Sequence, residues 1–206
     1  MSEKKINILS EERVFNNYFK VDEAKVKHTK SNGESVEYSR MKLVRPDAVA
    51  VLIVNEETQK VILVEQFRYP VADRESKNIL EVVAGKIDGN EEPQEAACRE
   101  VLEEIGYKIS KENLSNPLSV YISPGYSTEK IHIFIARVDN SMKVASGGGV
   151  ETEHEDIDIV ELNSGEFMVK CQNGEICDAK TILSSNMLLT ESINKLLDLG
   201  ATISKE

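Results

Sequence analysis

The stretch from Gly85 to Tyr107, GKIDGNEEPQEAACREVLEEIGY, constrains this chain more than any other. Pro93 suits the first turn of a helix, Glu91 and Glu92 favour a helix N-terminus electrostatically, and Gly106 suits a left-handed stop. The spacing predicts a helix of about three to four turns from Pro93 to Ile105. Ala97, Val101 and Ile105 recur every four residues and, joined by Cys98 and Leu102, give it an apolar side to set against a core. Glu100, Glu103 and Glu104 fall at i, i+3 and i+4 and share the opposite face.

Three carboxylates on one helical turn repel one another by about a few tenths of a kcal/mol per pair. Hard divalent cations take oxygen ligands and are commonly held by a few carboxylates together with substrate phosphates, so the cluster reads as a metal platform for phosphoryl chemistry. A Glu-rich helix face on its own is more often plain solvated surface. The full pattern decides between the two. It runs Gly85, five residues, Glu91, seven residues, Arg99-Glu100, an aliphatic, one residue, Glu103-Glu104, one residue, Gly106 and a large apolar residue. At average residue frequencies it would recur by chance on the order of once in a billion starting positions, which removes coincidence as the explanation.

This pattern resembles the Nudix box at every defined position, with the Tyr107 ring serving as the final apolar group. The resemblance implies a Nudix α/β/α sandwich with a mixed sheet, and Mg²⁺-dependent hydrolysis, with Mn²⁺ as an alternative ion. It implies that Glu100, Glu103 and Glu104 supply most of the metal ligands, Glu103 and Glu104 also serving catalysis, and that the backbone carbonyl of Ala84 adds another. Gly85 then keeps the backbone close to the ion. Arg99 and Glu91 correspond to the family's ion pair between loop and helix.

The 206 residues and 40% hydrophobic content fit one globular domain with room for a small accessory element. A net charge of −11 argues against nucleic acid or an anionic membrane as partner. No N-terminal apolar stretch resembles a signal peptide, and the longest apolar run, Ala48 to Val54, is too short to span a bilayer; a cytoplasmic protein is expected. Cys98, Cys171 and Cys177 are spaced for neither a disulfide framework nor a zinc site and read as reduced, mostly buried thiols. His28, His132 and His154 form no pair with ligand spacing.

Residues 1–46 are strand-like. Phe15 to Val26 and Glu34 to Val44 are joined by Lys30-Ser31-Asn32-Gly33, whose Asn-Gly is a hairpin signal. Such an element is either decoration of the sheet or, as resemblance to the nucleotide-sugar members implies, a dimerising arm that helps form the nucleotide pocket; a homodimer is expected. The catalytic domain then spans residues 47–206. Ala48 to Val54 and Val61 to Gln66 read as buried strands around the turn Asn55-Glu56-Glu57-Thr58, and Asn78 to Val83 as a further strand. Leu118 to Ile122 and Ile131 to Val138 also read as strands.

Several further stretches resemble the ADP-ribose and nucleotide-sugar branch. Glu65-Gln66-Phe67-Arg68 is similar to a segment whose arginine contacts the substrate's phosphates or terminal ribose, and a guanidinium suits bidentate phosphate recognition. Arg40 stands where that branch carries an arginine, although Met41 replaces the frequent acidic neighbour. Glu81, in LEVVAG, resembles a glutamate facing the site. In Ser123-Pro124-Gly125-Tyr126-Ser127-Thr128-Glu129 the proline interval marks the branch, and Glu129 is a candidate for a second metal or a ribose hydroxyl; Pro-Gly makes a turn in any case.

Gly147-Gly148-Gly149 reads as a mobile hinge before Glu151 to Ile157, an acidic run that as a bare sequence is solvated loop. Beside the box it resembles an acidic loop that closes over ADP-ribose or a GDP-sugar, with Glu153 as general base and Glu155 as a further metal ligand. A short helix follows Gly165. A final helix starts in Gly174 to Thr181, with Ile182, Leu189, Ile193 and Leu196 as its buried stripe; the GEIxDAKT segment resembles GDP-mannose-cleaving relatives. The expected reaction is hydrolysis of a nucleotide-sugar pyrophosphate, of ADP-ribose type or GDP-mannose. A ligand sensor and a triphosphate or cap hydrolase are the other classes open to such a box.

Overall fold

The computed structural model describes residues 6–75, 77–150 and 155–198. Two compact units divide it: residues up to Asp47 with Tyr121–Lys130, and Ala48–Val120 with Ile131 onward.

The first unit carries three antiparallel strands in sequence order, β1 (Ile6–Asn16), β2 (Lys20–Thr29) and β3 (Ser35–Val44). The 30–34 turn is as expected: Gly33 sits at φ 88°, its N–H donates to the Lys30 carbonyl, and Lys30 N–H donates to Glu34. Within the strand-like stretch from Phe15 to Val26 the chain reverses at Asn17-Tyr18-Phe19. That turn is built by the Asn17 side chain, which accepts from the Tyr18 N–H at 2.8 Å, and carries no Gly or Pro to announce it. The extra strand β1 is exposed along its whole length, so no apolar alternation marks it either. Cross-strand charge does mark it, through Arg13 with Asp22 and Lys42 with Glu11.

In the second unit β4 (Ala48–Asn55) lies between β5 (Lys60–Gln66), antiparallel, and β9 (Lys130–Val138), parallel. β10 (Asp158–Asn163) extends the sheet beyond β5, and β8 (Leu118–Tyr121) beyond β9. The short strands β6 (Ile79–Glu81) and β7 (Val83–Lys86) pair with β5 and β4 respectively. The sheet is therefore mixed. Successive residues of β4 point to opposite faces, and because both faces are covered the strand is apolar from Ala48 to Val54.

Val49, Val51 and Ile53 join Ile62, Val64, Phe134 and Ala136 beneath helix α1 (Pro93–Ile105), against Ala96, Ala97, Val101 and Ile105. Ala50, Leu52 and Val54 join Leu63, Ile133 and Ile135 on the other face. There Phe167 of α2 (Ser164–Asn173) and Leu188 of α3 (Ala179–Asp198) cover them. This is the α/β/α sandwich. Each fully buried Leu, Ile, Val or Phe contributes about 1.5–3 kcal/mol, so this one sheet supplies most of the apolar driving force.

Three expectations fail on the helices. Leu102 is exposed and Ala96 takes its place in the core, because the contact lies slightly to the other side of the 97–101–105 row. On α3 the buried face is Thr181, Ser184, Ser185 and Leu188, while Leu189 and Leu196 are exposed and Ile182 and Ile193 half-buried. Small hydroxyls pack there because their hydrogen bonds are met: Ser184 Oγ donates to the Lys180 carbonyl, and Thr181 Oγ1 accepts from Val82 N–H at 2.9 Å. Val82 is where the ladder switches from β5 to β4, so its donor needs that partner. The cysteines are free, but none is buried: Cys98 and Cys171 are half-buried and Cys177 is exposed.

Candidate active site

Helix α1 forms as its ends predict. Pro93 is in the first turn, the Glu92 and Glu95 side chains make a reciprocal capping box, and Gly106 stops the helix at φ 73°, its N–H bonding Leu102. A β-carbon at Gly106 would also strike the Ala145 carbonyl, so glycine is required on two counts. Tyr107 is 3% exposed and belongs to the core under α1.

Arg99 ties the loop before the helix to the helix itself. Its Nε and Nη2 donate to the two oxygens of Glu91 at 3.1 and 2.9 Å, and Nη2 also reaches the Lys86 carbonyl at 2.9 Å. Nη1 donates to Glu100 at 2.7 Å and to Glu103 at 3.1 Å. The hydrogen bonds from Arg99 hold the Glu91 carboxyl below its usual range, and the guanidinium is raised in turn, first by Glu91. The scaffolding pair thus also gathers two of the candidate ligands.

The carboxylate face is less solvated than its sequence suggests. Glu104 is 2% exposed and its Oε2 has no hydrogen-bond partner. Burial first, then the charges of Glu100 and Glu155, push its carboxyl up to about 9, against a backbone hydrogen bond from Ala84. Glu100 is raised too, mainly by burial. Its carboxylate lies where a β-carbon on Gly85 would be, so Gly85 makes room for a side chain.

The glycine run holds the far wall. Gly147, Gly148 and Gly149 all take left-handed φ, at 74°, 108° and 84°. Gly148 and Gly149 N–H groups donate to the Glu104 and Glu103 carbonyls at 2.8 and 3.1 Å, fastening the segment to the end of α1. Val150 N–H then donates to Glu155 Oε2 at 3.1 Å. A β-carbon at Gly149 would press on Glu155.

Glu100, Glu103, Glu104, Glu155, Ala84 and Gly85 therefore meet in one unit. Among the described residues no three carboxylates stand tightly enough to hold an ion as they are. The donor set nonetheless fits a hard divalent cation: all ligand atoms are oxygens, one is buried without a partner, and the charges of Glu100 and Glu155 add to burial in raising Glu104. Glu153 and His154 lie outside the described residues.

A second ionic group adjoins it. Arg68 Nε donates to Glu81 Oε1 at 2.6 Å, and Lys180 Nζ donates to Glu81 Oε2 at 3.0 Å and Asp178 Oδ1 at 2.7 Å. Glu81 is 2% exposed, and its charge is felt at Glu104. Burial works to lower the Lys180 ammonium, but Glu81 and Asp178 overcome it and hold the pKa above the usual range. Sequence reasoning missed Lys180; the signal was the Asp178-Ala179-Lys180-Thr181 segment, noted only for its likeness. Arg40 and Glu129 belong to the first unit. There Arg40 lies over the Tyr38 ring at 4.2 Å, and Glu129 pairs with Arg45 at 3.2 Å.

The family profile described as NUDIX domain matches residues 44–175. A GDP-mannose pyrophosphatase of Citrobacter koseri is 34% identical over 192 residues, covering 92% of this chain and 98% of that protein. One from Escherichia coli is 33% identical over the same shares. The crystal structure of an ADP compounds hydrolase superposes with TM-score 0.70 at 25% identity, over 95% of this chain and 97% of that one. With a complete box folded as a loop, a helix and a second loop, and with relatives matching over nine-tenths of the chain, the chain belongs to the Nudix hydrolase family.

Proposed function

We propose that the protein hydrolyses the pyrophosphate bond of a nucleoside diphosphate sugar, giving a nucleoside monophosphate and a sugar phosphate. The observation that carries this is the buried Glu104 carboxylate, one oxygen of it without a partner, among Glu100 and Glu155 and beside the cationic Arg68. Mg²⁺, or Mn²⁺ in its place, would be held by Glu100, Glu104, Glu155 and the Ala84 carbonyl, where it would supply charge neutralisation and a more acidic water. Arg68 binds phosphate oxygens through its guanidinium, and Glu81 orients it. Glu103 steadies the cluster through Arg99. Glu153 takes the proton from the attacking water, while Arg40 and Glu129 contact the nucleotide or its ribose.

ADP-ribose and GDP-mannose are the two candidate substrates. The curated relatives favour the second, since they are named GDP-mannose pyrophosphatases and match almost their whole length; the solved relative favours an ADP compound. A homodimer is supported by residues 1–46. A three-stranded sheet that leaves Ile8, Leu9, Phe15 and Phe19 exposed lacks cover of its own, and a second copy provides it. Among the described residues no helix is long and apolar enough to cross a membrane.

The test is a product assay with Mg²⁺ against ADP-ribose, GDP-mannose and other nucleotide sugars. Monophosphate release from one of them far above the rest supports the reading and selects the substrate. Binding without cleavage would make the chain a sensor, and pyrophosphate release from triphosphates would make it a housecleaning hydrolase.

A further inference from the structure

Glu81 is buried with both carboxylate oxygens engaged by different cations, Oε1 by Arg68 and Oε2 by Lys180. A guanidinium facing a carboxylate ordinarily pairs with it through two parallel N–H···O bonds. Here Arg68 uses Nε alone, and its two Nη groups have no protein acceptor among the described residues. Arg68 also lines a recess of about 310 Å³ with Phe67, Lys77 and Asn78. Lys180 is not needed to cap α3, because Asp178 Oδ2 already accepts from the Thr181 N–H and hydroxyl at 2.9 and 2.7 Å. Its ammonium reaches past Asp178 to Glu81, with only 17% of the side chain exposed.

We propose that Lys180 is a positioning residue: by occupying Glu81 Oε2 it restricts Glu81 to a single bond with Arg68 and leaves the two Nη groups free as a fork for the substrate's phosphate oxygens. Without Lys180, Glu81 turns to take Arg68 through both oxygens, and the fork is consumed inside the protein. The role belongs to binding rather than to the chemical step. This inference rests on the nucleotide-sugar reading above.

The experiment is steady-state kinetics with Mg²⁺ on ADP-ribose and GDP-mannose for the wild type, Lys180→Met, Lys180→Arg and Glu81→Gln/Lys180→Met. Lys180→Met raises KM about tenfold or more with kcat within about threefold. Lys180→Arg, which still occupies Oε2, keeps KM within about threefold of wild type. The double variant also returns KM to within about threefold of wild type, because a glutamine offers Arg68 only one acceptor. A merely structural lysine would not be rescued by a second buried substitution. An unchanged KM in Lys180→Met, or a double variant as poor as the single one, overturns the role of Lys180. Should Lys180→Met fail to fold, the charge-balanced double variant and Lys180→Arg carry the test, and a tenfold rise of KM in either overturns it. A wild-type chain inactive on every nucleotide sugar overturns the functional reading and this inference with it; an active wild type isolates the failure to Lys180.

Discussion

Replacing Glu104 by Gln should stabilise the cation-free protein while destroying its activity. The Glu104 carboxyl is pushed up to about 9 from an ordinary 4.5, by burial and by Glu100 and Glu155. Between those two values the folded chain keeps a proton that the unfolded chain gives up, so stability falls as pH rises through the window. Each pH unit costs about 1.4 kcal/mol, and at pH 7 the accumulated loss is on the order of 3 kcal/mol. Gln removes that ionisation, and the contribution becomes flat with pH. Urea melts in a chelator at intervals from pH 5 to pH 9 measure it. The difference between Glu104→Gln and wild type should grow towards high pH, which cancels every other titrating group common to both. Added Mg²⁺ should raise the stability of wild type alone and release about one proton per chain at pH 7, read with an indicator dye. Parallel pH dependences for the two proteins would refute the reasoning, as would near-wild-type turnover of the variant.

Further outcomes follow from single contacts. Gly85→Ala displaces the Glu100 carboxylate, the flexible end of a side chain, so turnover should fall about 10–100-fold with little change in melting temperature. Arg99→Met frees Glu91, Glu100 and Glu103 together, and should weaken Mg²⁺ affinity in calorimetry about tenfold or more, unlike substitution of the surface pair Lys111–Glu95. Leu52→Ala empties a fully buried site between sheet and helices and should cost about 2–5 kcal/mol in denaturant melts without altering KM. In sedimentation the chain should run as a dimer, and Phe15→Glu, on the exposed first strand, should shift it towards monomer.

The helix from Pro93 to Ile105 and its left-handed stop were legible because their determinants are local: a proline, acidic caps, a glycine and a four-residue apolar spacing. The buried strands 48–55, 60–66 and 130–138 were legible for a related reason, since a strand covered on both faces carries a nearly continuous apolar run, as in Ala48–Val54 and Val61–Val64. Arg99 with Glu91 followed from spacing together with resemblance. The strand Ile6–Asn16, inside a stretch that reads as strand-like, had no legible bounds because it is exposed along its whole length and turns on an asparagine side chain.

By itself the sequence determined the box, its helix and the carboxylate triad upon it, because each depends on residues a few places apart. Only the tertiary structure decided that Glu104 is buried and Glu103 is not, since that depends on what β7 and the 147–150 segment lay against the helix. It likewise decided that Lys180, ninety-nine residues from Glu81, shares a carboxylate with Arg68. It chose Thr181, Ser184 and Ser185 over leucines for the buried face of α3, because hydroxyls can be buried once their hydrogen bonds are met and periodicity alone cannot see those partners.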